Sequence, residues 1–175
     1  VPDHKLKARS HRRDPGGGGV NVSRALRRLE VASEAWIAVG GSIGDEFVDL
    51  LDKEGITPIS YPIPGMTREA ISVRDNTSGN EFRVVVDGPT VCDPDARASD
   101  IVSYARGAST VVLSGYLAPG LPDEFYAQVL EQLSAHITTV VDCDAGPLAP
   151  FVAHRASFIK PSLRELATLV GSDPS

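Results

Sequence analysis

The sequence predicts an α/β domain with a doubly wound, mostly parallel sheet, and three observations carry that prediction. Short apolar runs without polar alternation recur along the chain. Each is followed by a segment with helical periodicity, and a strand apolar on every residue needs helices covering both of its faces. The runs end in Gly, Ser, Asp or Lys, at the carboxyl edge where such sheets bind ligands.

Four strand-then-helix units justify this in order. Residues 34–39 end at Gly40-Gly41 and precede a helix over about 43–54, with Phe47, Leu50 and Leu51 on one face. Residues 109–113 end at Ser114-Gly115, and a helix follows with Tyr126, Val129, Leu130 and Leu133 at i, i+3, i+4, i+7. Residues 138–141 end at Asp142, ahead of a short helix near 146–153. Residues 157–159 end at Lys160-Pro161, and the last helix repeats the spacing with Leu163, Leu166, Ala167 and Val170. One region breaks the rhythm. Residues 69–75 and 81–87 alternate around Asn76-Thr77-Ser78-Gly79-Asn80, which predicts a β-hairpin with a longer turn. Residues 5–13 are too polar for a central strand but suit an exposed one beside that hairpin, so segments 5–13 and 68–87 are expected to form a small lid over the ligand edge.

At 175 residues, 42% apolar and 23% charged, the chain has the size of one ordinary domain with a real core. No stretch reaches the roughly 20 apolar residues a membrane span requires. The opening Val1-Pro2-Asp3-His4-Lys5 does not resemble a signal peptide. Cys92 and Cys143 stand far apart with no histidine at ligand spacing, which reads as a reduced, cytoplasmic protein; a disulfide between them is the weaker alternative. Net charge is −6, yet residues 1–28 carry eight Lys/Arg against Asp3 and Asp14, leaving −12 on the remainder. So acidic a body argues against nucleic acid as partner. The basic head suits a small anionic ligand or is a solvated charge run, and charge alone does not separate the two.

Asp14-Pro15-Gly16-Gly17-Gly18-Gly19-Val20-Asn21-Val22 runs into a helix expected to present Val22, Ala25, Leu26 and Leu29 on one face. Four glycines before a helix tolerate positive φ and let backbone N–H groups approach a ligand. The helix start adds unpaired donors and partial positive charge. Asn21 in the first turn can aim an amide at a hydroxyl; the competing reading is a plain flexible linker. A P-loop is excluded because Val20-Asn21, not Lys-Ser/Thr, follows the glycines. A dinucleotide fingerprint is excluded because Arg9-Ser10-His11-Arg12-Arg13 is no buried strand.

The run Asp14 to Leu26 resembles the first signature of the phosphofructokinase B family of carbohydrate kinases, which share the ribokinase fold. The likeness continues in register through Gly40-Gly41-Ser42-Ile43-Gly44, Thr67-Arg68-Glu69, Glu81-Phe82-Arg83, Leu113-Ser114-Gly115 and Ile159-Lys160-Pro161-Ser162-Leu163-Arg164-Glu165. It covers essentially the whole of 1–175, read as a partial ribokinase-like domain. The resemblance implies that Gly17, Gly18 and Asn21 bind sugar hydroxyls and that Lys5, Arg68 and Arg83 hold the sugar's own phosphate. Arginine suits that role because its planar fork matches phosphate oxygens, although exposed charge on a hairpin is the plainer reading of Arg68 and Arg83. Four glycines resemble the 6-phosphofructokinase branch, implying ATP-dependent transfer to a hydroxyl of fructose 6-phosphate. Lys160, Ser162 and Glu165 resemble the segment that organises ATP phosphates and Mg2+, with Glu165 nearest the metal; Ser162 reads equally as a helix N-cap. A homodimer through the lid is implied too.

Some positions depart from the family pattern. Tyr116 stands where a second serine would lie beside the sugar, Ser162 replaces an asparagine, and Asp142-Cys143-Asp144 replaces Asp-Thr-Ser. Leu29-Glu30-Val31 lacks the glycine that usually ends its helix. The family's first buried strand and its C-terminal nucleotide-binding half, with the catalytic aspartate, have no counterpart, so no catalytic residue is assigned. The expectation is a sugar-phosphate kinase by family; the alternative is a truncated, inactive sugar-phosphate-binding domain, the favoured state of this chain alone. A nucleoside kinase relative fits less well, since three basic lid residues would have no phosphate to hold.

Overall fold

The computed structural model describes residues 7–143, 150–151, 153–154 and 156–171. Helices α1 (Gly18–Arg28) and α2 (Gly41–Lys53) flank strand β1 (Trp36–Val39), and β2 (Ile59–Pro62) pairs parallel to β1. An antiparallel hairpin, β3 (Ala70–Arg74) and β4 (Glu81–Val85), follows, then α3 (Pro94–Ala105). Strands β5 (Thr110–Ser114), β6 (Thr138–Asp142) and β7 (Phe158–Ile159) form a parallel sheet in that order, with α4 (Phe125–Gln132) between β5 and β6 and α5 (Leu163–Val170) last. The α/β expectation is met, with strand-then-helix units at β1–α2, β5–α4 and β7–α5; for the short helix near 146–153, residues 144–149 and 152 lie outside the described ones. Among the described residues no helix is long and apolar enough to cross a membrane.

The parallel strands fall into two sheets instead of one, since no ladder joins β1 to β5 among the described residues. The core divides likewise. Val20, Leu51 and Ile56 pack with Ile37 and Phe47 under α1 and α2. Leu113, Phe125, Val129 and Ala98 fill the space between β5, α3 and α4, and Val141, Phe151, Ala127 and Cys143 continue it beyond β6. Tyr126 and Leu130 touch both of these latter clusters and join them.

Two further expectations need correcting, and two elements are additional. Helix α1 buries Val20 and Ser23, while Ala25 and Leu29 are exposed, because its first turn is pressed onto the end of β5 and that fixes which side faces inward. Residues 7–13 form no strand; they are polar and exposed, and Arg13 is held by ion pairs to Glu46 and, at 3.9 Å, to Glu69. Strand β2 and helix α3 were not foreseen. Pro58 and Pro62 bracket β2 and disguise it, but proline is tolerated at a sheet edge that needs no donor. For α3 the signal was present: Pro94 follows Asp93, and Ala98, Ile101, Val102 and Ala105 repeat at i, i+3, i+4, i+7.

Candidate functional site

At the carboxyl end of β5 the glycine run meets the three-stranded sheet. Gly17 takes φ 109° as the residue before α1, a conformation side chains disfavour. A Cβ on Gly18 would collide with Ser114 Oγ and come within 3.0 Å of the Gly115 nitrogen, so the first turn of α1 can only lie this close to β5 without a side chain. Gly16 and Gly17 face open space, which leaves backbone N–H groups at the helix mouth accessible.

Beside this junction opens a cleft of about 200 Å³, lined among others by Ala38, Ile63, Thr67, Arg68, Tyr116 and Pro119. Thr67 fixes its floor. The Gly40 N–H donates to Thr67 Oγ1 at 2.9 Å, and the Thr67 N–H donates back to the Gly40 carbonyl at 2.8 Å. Arg68, the next residue, places its guanidinium over the Tyr116 ring, 5.0 Å from the centroid. The Thr67-Arg68-Glu69 motif carries no sequence signal for this anchoring role of the Thr67 hydroxyl, which depends on Gly40, 27 positions earlier in the chain.

Some expected partners lie elsewhere. The Asn21 amide oxygen accepts from Arg24 at 3.3 Å, and Arg24 in turn makes a two-pronged pair with Glu54 at 2.6 and 2.8 Å. Their bond raises the Arg24 guanidinium's pKa and lowers that of the Glu54 carboxyl. Arg83 sits on β4 opposite Ser72, exposed and outside the cleft lining, as is Asn21. Lys5 and Asp144 lie outside the described residues.

Further along the same carboxyl edge, where the Gly115 N–H donates to the Asp142 carbonyl, Lys160 Nζ pairs with the Asp142 side chain at 3.1 Å. Ser162 and Glu165 form a reciprocal capping box: the Glu165 N–H donates to Ser162 Oγ at 3.2 Å, and the Ser162 N–H donates to Glu165 Oε2 at 2.6 Å. Those bonds from Ser162 hold the Glu165 carboxyl below its ordinary range, so it is ionised at neutral pH. No group of three or more His, Cys, Asp or Glu gathers at metal-binding distance among the described residues. Glu165 retains its second oxygen, and Mg2+, which keeps most of its water shell, asks only one or two carboxylates of a protein. The residue fits an ion brought in with a nucleotide.

The chain is similar to known proteins along nearly its whole length. The family model for pfkB family carbohydrate kinases matches residues 2–174. ATP-dependent 6-phosphofructokinase isozyme 2 of Mycobacterium tuberculosis is 32% identical over 174 residues, which cover 98% of this chain and 51% of that protein. Phosphofructokinase-2 from Escherichia coli, solved in complex with fructose-6-phosphate, superposes with a TM-score of 0.89 at 28% identity, over 99% of this chain and 58% of that one. The same enzyme's tetrameric inhibited form gives 0.88 at the same identity, over 99% and 58%. The chain thus spans about half the length of the relatives it matches. A glycine turn pressed on the end of β5, an arginine at the cleft and motifs in family order along the whole sequence give the conclusion that this chain belongs to the pfkB family of carbohydrate kinases.

Proposed function

We propose that this chain forms the acceptor-sugar side of a kinase that transfers a phosphoryl group from ATP to a hydroxyl of fructose 6-phosphate. The observation that carries this reading is the cleft at the ends of β1 and β5, lined by Arg68 and by Tyr116, the residue that follows the Ser114-Gly115 turn against which Gly18 packs. An uncharged backbone mouth suits sugar hydroxyls, and a guanidinium suits a phosphate monoester. The backbone N–H groups at Gly17 and Gly18 would orient the sugar. Arg68, with Lys5 and Arg83, would hold its phosphate. Asn21 joins them once its amide turns from Arg24 to the ligand.

When bound, ATP with Mg2+ would supply the transferable phosphoryl group and neutralise its developing charge. Lys160, Ser162 and Glu165 are the residues we assign to that side, Glu165 through its remaining oxygen. Apolar side chains on one face of the hairpin, Ile71, Val73, Phe82 and Val84, are half or more exposed, while Arg83 belongs to the other face. Pairing of that apolar face with a second copy's hairpin would make a homodimer and leave the Arg83 face to the ligand. Cys92 is exposed and Cys143 buried, and we assign the chain to a reduced, cytoplasmic setting.

A second reading, binding without turnover, is favoured by one observation. No carboxylate lines the cleft among the described residues, and Asp142 is tied to Lys160. Calorimetric titration of the 175-residue chain with fructose 6-phosphate, run beside a coupled ATP-consumption assay, decides between them. Binding without turnover is the expected result. Turnover would return a base to this chain, and absence of binding would overturn the sugar-phosphate reading.

A further inference from the structure

We propose that Tyr116 is a positioning residue that gives the cleft its preference for a phosphorylated ligand, by holding the Arg68 guanidinium face-on so that its N–H edge stays open to phosphate oxygens. The proposal rests on the sugar-phosphate reading above but has its own observation. Among the described residues, Arg12, Arg13, Arg24 and Arg97 each meet a carboxylate, Arg97 while also lying over the Tyr61 ring, whereas Arg68, the one arginine lining the cleft, takes part in no ion pair and rests on the Tyr116 ring alone. An acid partner would occupy the in-plane donors that an arriving phosphate needs. A ring uses only the guanidinium's flat face, so attraction to the ring and binding of an anion do not compete.

The surroundings favour one placement of the pair. Thr67 is locked to Gly40 on one side, and the Arg68 stem runs along Gly88, where an added Cβ would sit 3.5 Å from Arg68 Cβ. Both Arg68 and Tyr116 line the cleft. A serine at position 116, the residue the family pattern leads one to expect, has a hydroxyl but no face on which a guanidinium can rest. With Tyr116 the charge is ordered before the ligand arrives, and less freedom is lost on binding.

The test is the affinity of the full 175-residue chain for fructose 6-phosphate, inorganic phosphate and unphosphorylated fructose, measured by calorimetry on wild type, Tyr116→Ser, Tyr116→Phe, Arg68→Ala and the double variant Tyr116→Ser/Arg68→Ala. A cation–π contact of exposed type is worth about two- to fivefold in affinity. Tyr116→Ser should therefore weaken both phosphate-bearing ligands by that factor and leave fructose unchanged, Tyr116→Phe should restore them, and Tyr116→Ser should add nothing once Arg68 is gone. Should wild type bind inorganic phosphate in this Tyr116-dependent way but not fructose 6-phosphate, the sugar reading falls and the proposal stands. If fructose 6-phosphate binds and Tyr116→Ser leaves it untouched, or weakens fructose equally, the proposal falls and the sugar reading stands. Lack of binding of any phosphate-bearing ligand overturns both.

Discussion

Single residues set how closely the glycine helix approaches the sheet. Replacing Gly18 by Ala pits two effects against each other. Alanine inside a helix gains about 1 kcal/mol over glycine, but its Cβ would run into Ser114 Oγ and sit 3.0 Å from the Gly115 nitrogen. The serine hydroxyl can rotate away; the backbone nitrogen cannot. Overpacking costs typically about 1–3 kcal/mol, so Gly18→Ala should lower the denaturant midpoint and push α1 off β5, weakening the proposed binding of fructose 6-phosphate as well. A raised midpoint, the helix gain appearing without any overpacking cost, would show that the turn is not pressed against β5. At this scale the sequence was readable where backbone alone decides, as at Gly17 and Gly18. It was less so where side chains choose partners: nothing along the chain says that Asn21 is engaged by an Arg24 that Glu54, thirty positions on, also holds.

Elements were legible where periodicity is strong and blurred where proline interrupts. Strands β5 and β6, rich in β-branched residues without alternation, appear within a residue of their expected limits. Four-residue β2 does not announce itself, because its two half-buried positions, Ile59 and Tyr61, are too few to set a period. Helix α5 illustrates a motif with two readings, since the segment that resembles a nucleotide-binding motif is also a complete capping box. The cap has a pH signature. Glu165's folded pKa lies below its ordinary value of 4.5, so its contribution to stability is whole above that value and fades as pH falls through the lower, folded one. Protection of the amides in the first turn of α5, taken relative to their intrinsic exchange rate at each pH, should accordingly fall below about pH 4.5. Ser162→Ala removes one of the two bonds at a cost of about 1 kcal/mol and should blunt that dependence. A first turn equally protected at pH 3 and pH 7 would mean the capping box contributes nothing.

For the whole molecule, the periodicity that identified the helices says nothing about which apolar faces find cover. In α5, Leu163 is 85% and Val170 63% exposed, with Ala167 alone buried, and Phe158 on β7 is 63% exposed. Burying a side chain of this size is worth about 1.5–3 kcal/mol, so these three in water forgo about 5 kcal/mol. A domain's entire margin is about 5–15 kcal/mol. The hairpin adds a second uncovered patch, and two-stranded hairpins hold poorly without a packed face. A divided parallel sheet, with one core under α1 and α2 and another around α3 and α4, removes the cooperativity that a continuous sheet would lend. The 175-residue chain is therefore expected either to melt early and broadly or to self-associate, with sedimentation rising with concentration. Phe82→Asp places a charge in the hairpin's apolar face without touching either core and should reduce the association while leaving the circular dichroism spectrum intact. A monomer that melts in one sharp, high-temperature calorimetric transition would show that these faces cost the fold little, and that its two cores are joined more firmly than their contacts indicate.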